Sequence, residues 1–394
     1  MSDPRGRPGL LLYCQHSVGL GHLVRSAALA AALAETFEVV LAAGGPVPEG
    51  FAAPHGVELV RLPPVVSSDE RASVLESLEP GLDLEAAFAA RRSILLGLLE
   101  RLQPAVVVVE QFPFGRAKFA TELVPLLEAA RQRRPRPAVL CSVRDLLVRR
   151  DRGQERRDER TAELLGAHFD AVVVHADPRV ARLEHTFPPA TRLPIAVHHL
   201  GYVVPGGSPP AWRRPTRPVV VVSAGGGRSG GPLLTSATEA HRRHLATLGV
   251  TTRLVTGPFL PEATAGSLRA QAERCPSLQV ERFVPDLRAV MASASVSVSQ
   301  CGYNSALDVL RSGVPALVVP FPGDDEQPDR ARRLARLGAV RVLPEDELDP
   351  DVLAREIRVL LESEPAAPVV DLDGARAAAR LAAALASRGP VATR

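Results

Sequence analysis

Short runs of Val, Leu and Ala without polar alternation recur along this chain, and each leads through turn residues into a segment with helical spacing. Such runs suit strands covered on both faces, and their alternation with helices implies parallel sheets. The first series reads LLLYC, EVVLAA, VELVRL, AVVVVE, AVLCSVRD and DAVVVHAD. The stretch HHLGYVVPGGSPPAWRRPTRP, from His198 to Pro218, then concentrates Pro and Gly, and the rhythm restarts with VVVVSAGGG, TRLVTGP, LQVERF, ASVSVSQ, PALVVPF and AVRVL. With 394 residues the chain exceeds the usual reach of one hydrophobic core. The pattern predicts an α/β chain of two doubly wound, Rossmann-like domains, 1–204 and 219–370, joined by a linker at 205–218. A helix within 371–394 is expected to pack back on the body. Open parallel sheets take ligands outside the carboxyl ends of their strands, so two such sheets facing each other predict a reaction cleft between them.

Composition narrows the functional classes. Lys118 is the only lysine among 47 basic residues and the net charge is only +3, so the many arginines reflect composition bias and no nucleic-acid partner is expected. Aromatic residues make up 4%, which leaves the core to Leu, Val and Ala. The opening MSDPRGRPGLLLYCQH has an apolar core of about four residues, too short for a secretory signal. No run approaches the ~18 apolar residues of a membrane span, and Glu35 interrupts the alanine-rich segment. Cys14, Cys141, Cys275 and Cys301 lie far apart without ligand spacing, so they read as buried thiols of a cytoplasmic protein, and no metal site is expected.

Three stretches carry the chemistry. In HSVGLGHLVRSAALAAAL, Gly19 and Gly21 permit a tight turn. His22 then falls in the first turn of a helix, whose positive end disfavours a charged imidazole. A neutral imidazole there suits a general base, although a capping or core histidine accounts for the same pattern. Arg25, one turn on, either faces the same cleft or pairs with a carboxylate. In VSAGGGRSGGP, Gly225, Gly226 and Gly227 leave backbone N–H groups open to a diphosphate, beside Arg228 and a helix N-terminus. The loop lacks the Lys-[Ser/Thr] ending of a Walker loop, and a purely structural turn is the alternative. In SQCGYNSALDVLRSGVPALVVPFPGDDEQPDRARRLARLGAV, Gly302 leads into a helix on which Asn304 and Asp308 share a face, with Ser305 beside them. Gly313 and Pro315 stop that helix, and Gln327 lies in the polar turn after the next strand. Carboxylate, amides and hydroxyl together suit a polyhydroxylated ligand.

These three stretches together closely resemble the MurG-like glycosyltransferases of family 28, nearest to a bacterial group that also has stretches like EQFPFGR, VRDLL and HADPRVARLE. The resemblance covers most of residues 10–345. It implies the GT-B architecture, with an acceptor in the N-terminal domain and a nucleotide sugar in the C-terminal one. It also implies inverting transfer of a hexosyl group without a bound metal or any cofactor besides the nucleotide-sugar substrate. His22 would be the base that deprotonates the acceptor hydroxyl. Gly225, Gly226, Gly227 and Arg228 would meet the diphosphate, Gly302, Asn304 and Ser305 the donor, and Gln327 the donor sugar. Asp308 stands where the family usually has a ribose-binding glutamate. Being a methylene shorter, it weakens the inference to a uridine donor. A lipid-linked acceptor would bring peripheral contact with the inner face of a membrane.

Other polar residues at strand ends keep two readings. Glu110, Gln111 and Arg116 of EQFPFGR either line the acceptor pocket or hold a loop by a local ion pair, and Arg144 with Asp145 and His175 with Asp177 divide in the same way. Arg149–Arg160, with six arginines and four acids, reads as a solvated helix or loop. Residues Pro63–Arg92 offer no motif and suit a flexible cover or a surface helix. The rival functions are a sugar-nucleotide epimerase or hydrolase of the same fold, and a non-catalytic nucleotide-sugar sensor.

Overall fold

The computed structural model describes residues 6–16, 21–67, 74–147, 153–205, 212–284, 286–323, 325–363 and 370–387. Two compact units divide the chain, Met1–Gly206 with Asp371–Arg394, and Gly207–Val370.

The first unit is built on β1 (Gly9–Cys14), β2 (Glu38–Ala43), β3 (Val57–Arg61), the short β4 (Val65–Ser67) and β5 (Leu75–Ser77), then β6 (Val106–Glu110), β7 (Ala138–Val143), β8 (Ala171–Val174) and β9 (Ala196–His199). Seven of these form one parallel sheet in the order β3-β2-β1-β6-β7-β8-β9. The helices α1 (Gly21–Leu33), α2 (Leu84–Leu102), α3 (Ala120–Gln132) and α4 (Gln154–His168) follow β1, β5, β6 and β7. The apolar runs behave as continuous runs should: every residue of β1, β6 and β8 is buried. β3 departs from that expectation. Its residues are half-buried or exposed, because it lies at the sheet edge. The stretch Pro63–Arg92 contains the antiparallel hairpin β4–β5 and the start of α2, whose N-cap Asp83 accepts the Ala86 N–H at 2.8 Å.

The second unit contains β10 (Val219–Ser223), β11 (Thr251–Val255), β12 (Leu278–Glu281), β13 (Val296–Ser299), β14 (Ala316–Val318) and β15 (Arg341–Val342). They form a parallel sheet in the order β12-β11-β10-β13-β14-β15. Its helices are α5 (Gly231–Ala240), α6 (Glu262–Ala272), α7 (Leu287–Ala292), α8 (Tyr303–Ser312), α9 (Glu326–Arg336) and α10 (Pro350–Glu362). Leu233, Leu234 and Ala237 of α5 pack with Leu353, Ile357 and Leu360 of α10 over Val220 and Val222, one core made almost wholly of aliphatic side chains.

The chain then returns to the first unit. Tyr202 N–H donates to Asp371 O at 2.8 Å, Asp371 N–H donates to Asp177 Oδ2 at 2.8 Å, and α11 (Gly374–Ser387) buries Ala378, Ala379 and Ala382 with Leu29 and Leu33 of α1. In each sheet the strand order reverses beside its first strand, between β1 and β6 and between β10 and β13. Loops diverge at such a point and leave a crevice, which is where open α/β sheets take ligands. Among the described residues no helix is long and apolar enough to cross a membrane, and no three His, Cys, Asp or Glu side chains gather as a metal-binding group.

Candidate active site

In the first unit the residues at the reversal point are ionisable. Glu110 ends β6 and is 1% exposed. His22 occupies the first turn of α1, and its Nδ1 lies 2.6 Å from Glu110 Oε1. Arg25, three residues on and therefore on the same face, donates to that same oxygen and is itself buried. The pairing fixes the protonation states. Burial alone would raise the Glu110 acid, but His22 and Arg25 beside it outweigh burial and hold it far below the usual carboxylate range. Burial pushes His22 below its ordinary value, opposed by Glu110 and assisted by the charges of Arg25 and Arg144. An ionised carboxylate only accepts hydrogen bonds, so Nδ1 carries the proton and Nε2 keeps its lone pair. This is the form a base requires.

Gly21 opens α1, whereas Gly19 lies outside the described residues. After Glu110 the chain takes a left-handed turn at Gln111, φ +61°, whose N–H donates to Ser142 O at 2.8 Å. A non-glycine residue in that region is held there at a cost, and such positions gather at functional sites. Arg116, further along this loop, is half-buried and its charge reaches Glu110. The neighbouring Ser142 Oγ and His175 Nε2 are 2.8 Å apart and fully enclosed, so His175 serves the interior. Asp177 is a tether: its carboxylate accepts the N–H groups of Arg179 and Asp371, anchoring the returning chain. Arg144 is half-buried and Asp145 buried. From Gln154 onward, the arginine-rich stretch is the helix α4, with Arg156, Arg157 and Arg160 exposed.

A second buried network in the first unit was announced by no motif. Arg91 of α2 is wholly buried and donates to Gln15 Oε1 (2.7 Å), Gly44 O (2.7 Å), Pro63 O (2.8 Å) and both oxygens of Glu122, which also accepts from Tyr13 OH. One guanidinium thus holds the ends of β1 and β2 and the chain before β4. The available signal was an arginine set between Ala87 and Leu95 on the apolar face of a helix.

In the second unit the triglycine loop follows β10. Gly225 (φ +57°) and Gly227 (φ +90°) adopt backbone that side chains resist. A β-carbon at Gly227 would stand 2.3 Å from Thr256 O, so that position tolerates nothing larger. Gly225 and Gly226 are exposed and lead, past Arg228, into α5. The structure brings the two reversal-point loops together. A β-carbon at Gly225 would be 3.6 Å from Ser305 Oγ, and Gln300 Nε2 donates to Ser229 O at 3.2 Å. Gly302 is the N-cap of α8 and supplies no side chain, so the first N–H groups of the helix have no side-chain cap. Asn304 is exposed while Ser305 and Asp308 are half-buried. Burial pushes Asp308 up to about 6, with Asp286 adding to it against Arg288 and Arg311. Arg228 lies over the exposed ring of Phe259, 5.8 Å from its centre, an aromatic neighbour that the sequence left unmarked. Gln327 sits in the first turn of α9, and its side-chain oxygen accepts the Phe321 N–H at 3.3 Å.

Comparison with known proteins bears on both units. Residues 224–380 match the glycosyltransferase family 28 C-terminal domain. The UDP-N-acetylglucosamine--N-acetylmuramyl-(pentapeptide) pyrophosphoryl-undecaprenol N-acetylglucosamine transferase of Chromohalobacter salexigens is 32% identical over 179 residues, 45% of this chain and 47% of that protein. The chain therefore spans about half the length of that curated relative. Among solved structures, the glycotransferase of kitacinnamycin has a TM-score of 0.60 at 19% identity, covering 98% of this chain and 100% of that one. MurG of Acinetobacter baumannii has a TM-score of 0.54 at 18% identity, covering 95% of each.

Proposed function

We propose that this chain, which has the GT-B fold of two Rossmann-like units, is a MurG-like glycosyltransferase of family 28 that transfers a hexosyl group with inversion from a UDP-linked sugar to an acceptor hydroxyl, with His22 as base. The observation that carries the reading is the His22–Glu110 contact of 2.6 Å, which leaves Nε2 unprotonated. In the proposed step Nε2 takes the acceptor proton as the acceptor oxygen attacks the anomeric carbon. The bond from that carbon to the phosphate oxygen breaks, and the diphosphate departs with the electron pair. Glu110 keeps the imidazole oriented and stabilises the imidazolium that forms, while Arg25 keeps Glu110 ionised. Negative charge developing on the diphosphate would be met by N–H groups of the triglycine loop and the N-terminus of α8, with Arg228 beside them. The reading requires no metal ion. Asp308 would face the ribose and Gln327 the sugar. The acceptor would bind the first unit near Gly21, Arg116 and Gln111. A cytoplasmic enzyme that touches a membrane surface through a lipid-linked acceptor fits the pyrophosphoryl-undecaprenol in the relative's name.

A thermal-shift screen over UDP, GDP, dTDP and their sugars tests the donor half, and UDP and a UDP-sugar are expected to stabilise the protein most. His22→Ala should leave donor affinity nearly unchanged and lower transfer on the order of 10²-fold or more. Equal loss of donor affinity and rate would remove His22 from the role of base. Rapid breakdown of the UDP-sugar without any acceptor would instead favour the hydrolase reading.

A further inference from the structure

α9 is polar along most of its length, yet one of its arginines lies inside the protein. Arg330 is 1% exposed. Its guanidinium donates to Cys301 O at 2.8 Å, pairs with Glu326 one turn earlier at 2.5 Å, and lies over the Tyr303 ring, 5.7 Å from the centre. A buried guanidinium persists only where such partners compensate for its lost hydration. Two of these partners, Cys301 and Tyr303, flank Gly302, the N-cap of α8. Because no side chain caps α8, the aim of its first N–H groups depends on whatever grips the turn before it.

We propose that Arg330 is a positioning residue of the donor site, fixing the Cys301–Tyr303 turn so that the N-terminus of α8, with Asn304 and Ser305, is held ready for the diphosphate. This rests on the donor reading given above. The same turn of α9 holds the loop after β14 through Gln327 and the Phe321 N–H, so one short helix segment braces both the diphosphate turn and the sugar-side loop. Arg330 is argued to act through these groups and not by touching the donor.

The test uses the full chain with Arg330→Gln and Arg330→Lys. Amide hydrogen exchange without ligand should be about tenfold faster in Arg330→Gln at Ala306, whose N–H bonds to Gly302 O, with α10 and α11 unchanged. UDP affinity should fall about tenfold while UMP affinity changes much less, since the outer phosphate depends most on α8. Arg330→Lys, which keeps a single donor in reach, should fall between wild type and Arg330→Gln. Wild-type exchange at Ala306, or equal loss of UDP and UMP affinity, would overturn the proposal. Should Arg330→Gln not fold, Glu326→Gln, which leaves the bond to Cys301, must show the same split in smaller measure, and an unaltered split defeats the idea. If the wild type binds no nucleoside diphosphate, the donor reading fails, while the exchange measurement still decides the role of Arg330.

Discussion

At the scale of single residues, the ionisable groups behave as their surroundings dictate. His22 and Asp308 are both moved by burial, in opposite directions. Burial disfavours charge, so it lowers a base and raises an acid. For Asp308 the consequence is measurable. With its carboxyl at about 6, the side chain passes from neutral to ionised between pH 5 and 7.5, and a carboxylate accepts hydroxyl hydrogen bonds more strongly than its acid does. The affinity for a UDP-sugar, whose diphosphate stays fully ionised across that window, should therefore rise by up to about tenfold, and the rise should vanish in Asp308→Asn. Calorimetry at several pH values checks it; an identical rise in the variant would acquit Asp308. His22, Arg25 and the triglycine loop were legible as candidates because glycine turns before helices are visible in a sequence. That Arg25 and His22 share one oxygen of Glu110, 85 and 88 residues away, was not, because nothing local marks which strand end β1 will stand beside.

At the scale of elements, turns and caps decide where the donors point. Gly226 and Gly227 are adjacent yet should respond differently. Gly227 has φ +90° and a carbonyl 2.3 Å from where a β-carbon would be, so Gly227→Ala should destabilise its unit by about 2 kcal/mol or more. At Gly226 the nearest atom is Phe259 Cδ2 at 3.5 Å, an ordinary contact, so Gly226→Ala should fold normally and lose nucleotide affinity by obstructing the loop face. Denaturant titration beside nucleotide binding separates the two, and equal loss of stability would show that loop strain had been misassigned. All six apolar runs read in the second series are strands of the second sheet. β9 (AVHH) and the paired β4 (VVS) and β5 (LES) escaped the sequence reading because His, Ser and Glu leave these short strands without an apolar run to mark them.

At the scale of the whole molecule, stability is coupled to buried polar groups that a tally of apolar content misses. His175 is enclosed, and burial holds it down to about 3 from its ordinary 6.5. Below pH 6.5 the unfolded chain takes up a proton there that the folded chain refuses. Stability should therefore decline as the pH falls from 6.5 towards 3, with a limiting slope of about 1.4 kcal/mol per pH unit from this group. Urea titrations at pH 7 and pH 5 test this against His175→Asn, whose slope should be shallower; unchanged slopes would relieve His175 of the effect. The sequence by itself determined the class of fold and the restart after residue 218, because unbroken Val and Leu runs have few other ways to be covered. It also placed glycines where the backbone takes left-handed turns, at Gly225 and Gly227. Only the tertiary structure decided that Glu110 serves His22, that Asp177 tethers the returning chain, and that Arg91 and Arg330 are interior braces. Each of these follows from which strand ends and helix turns become neighbours, and that adjacency is fixed by long-range packing rather than by any local pattern of residues.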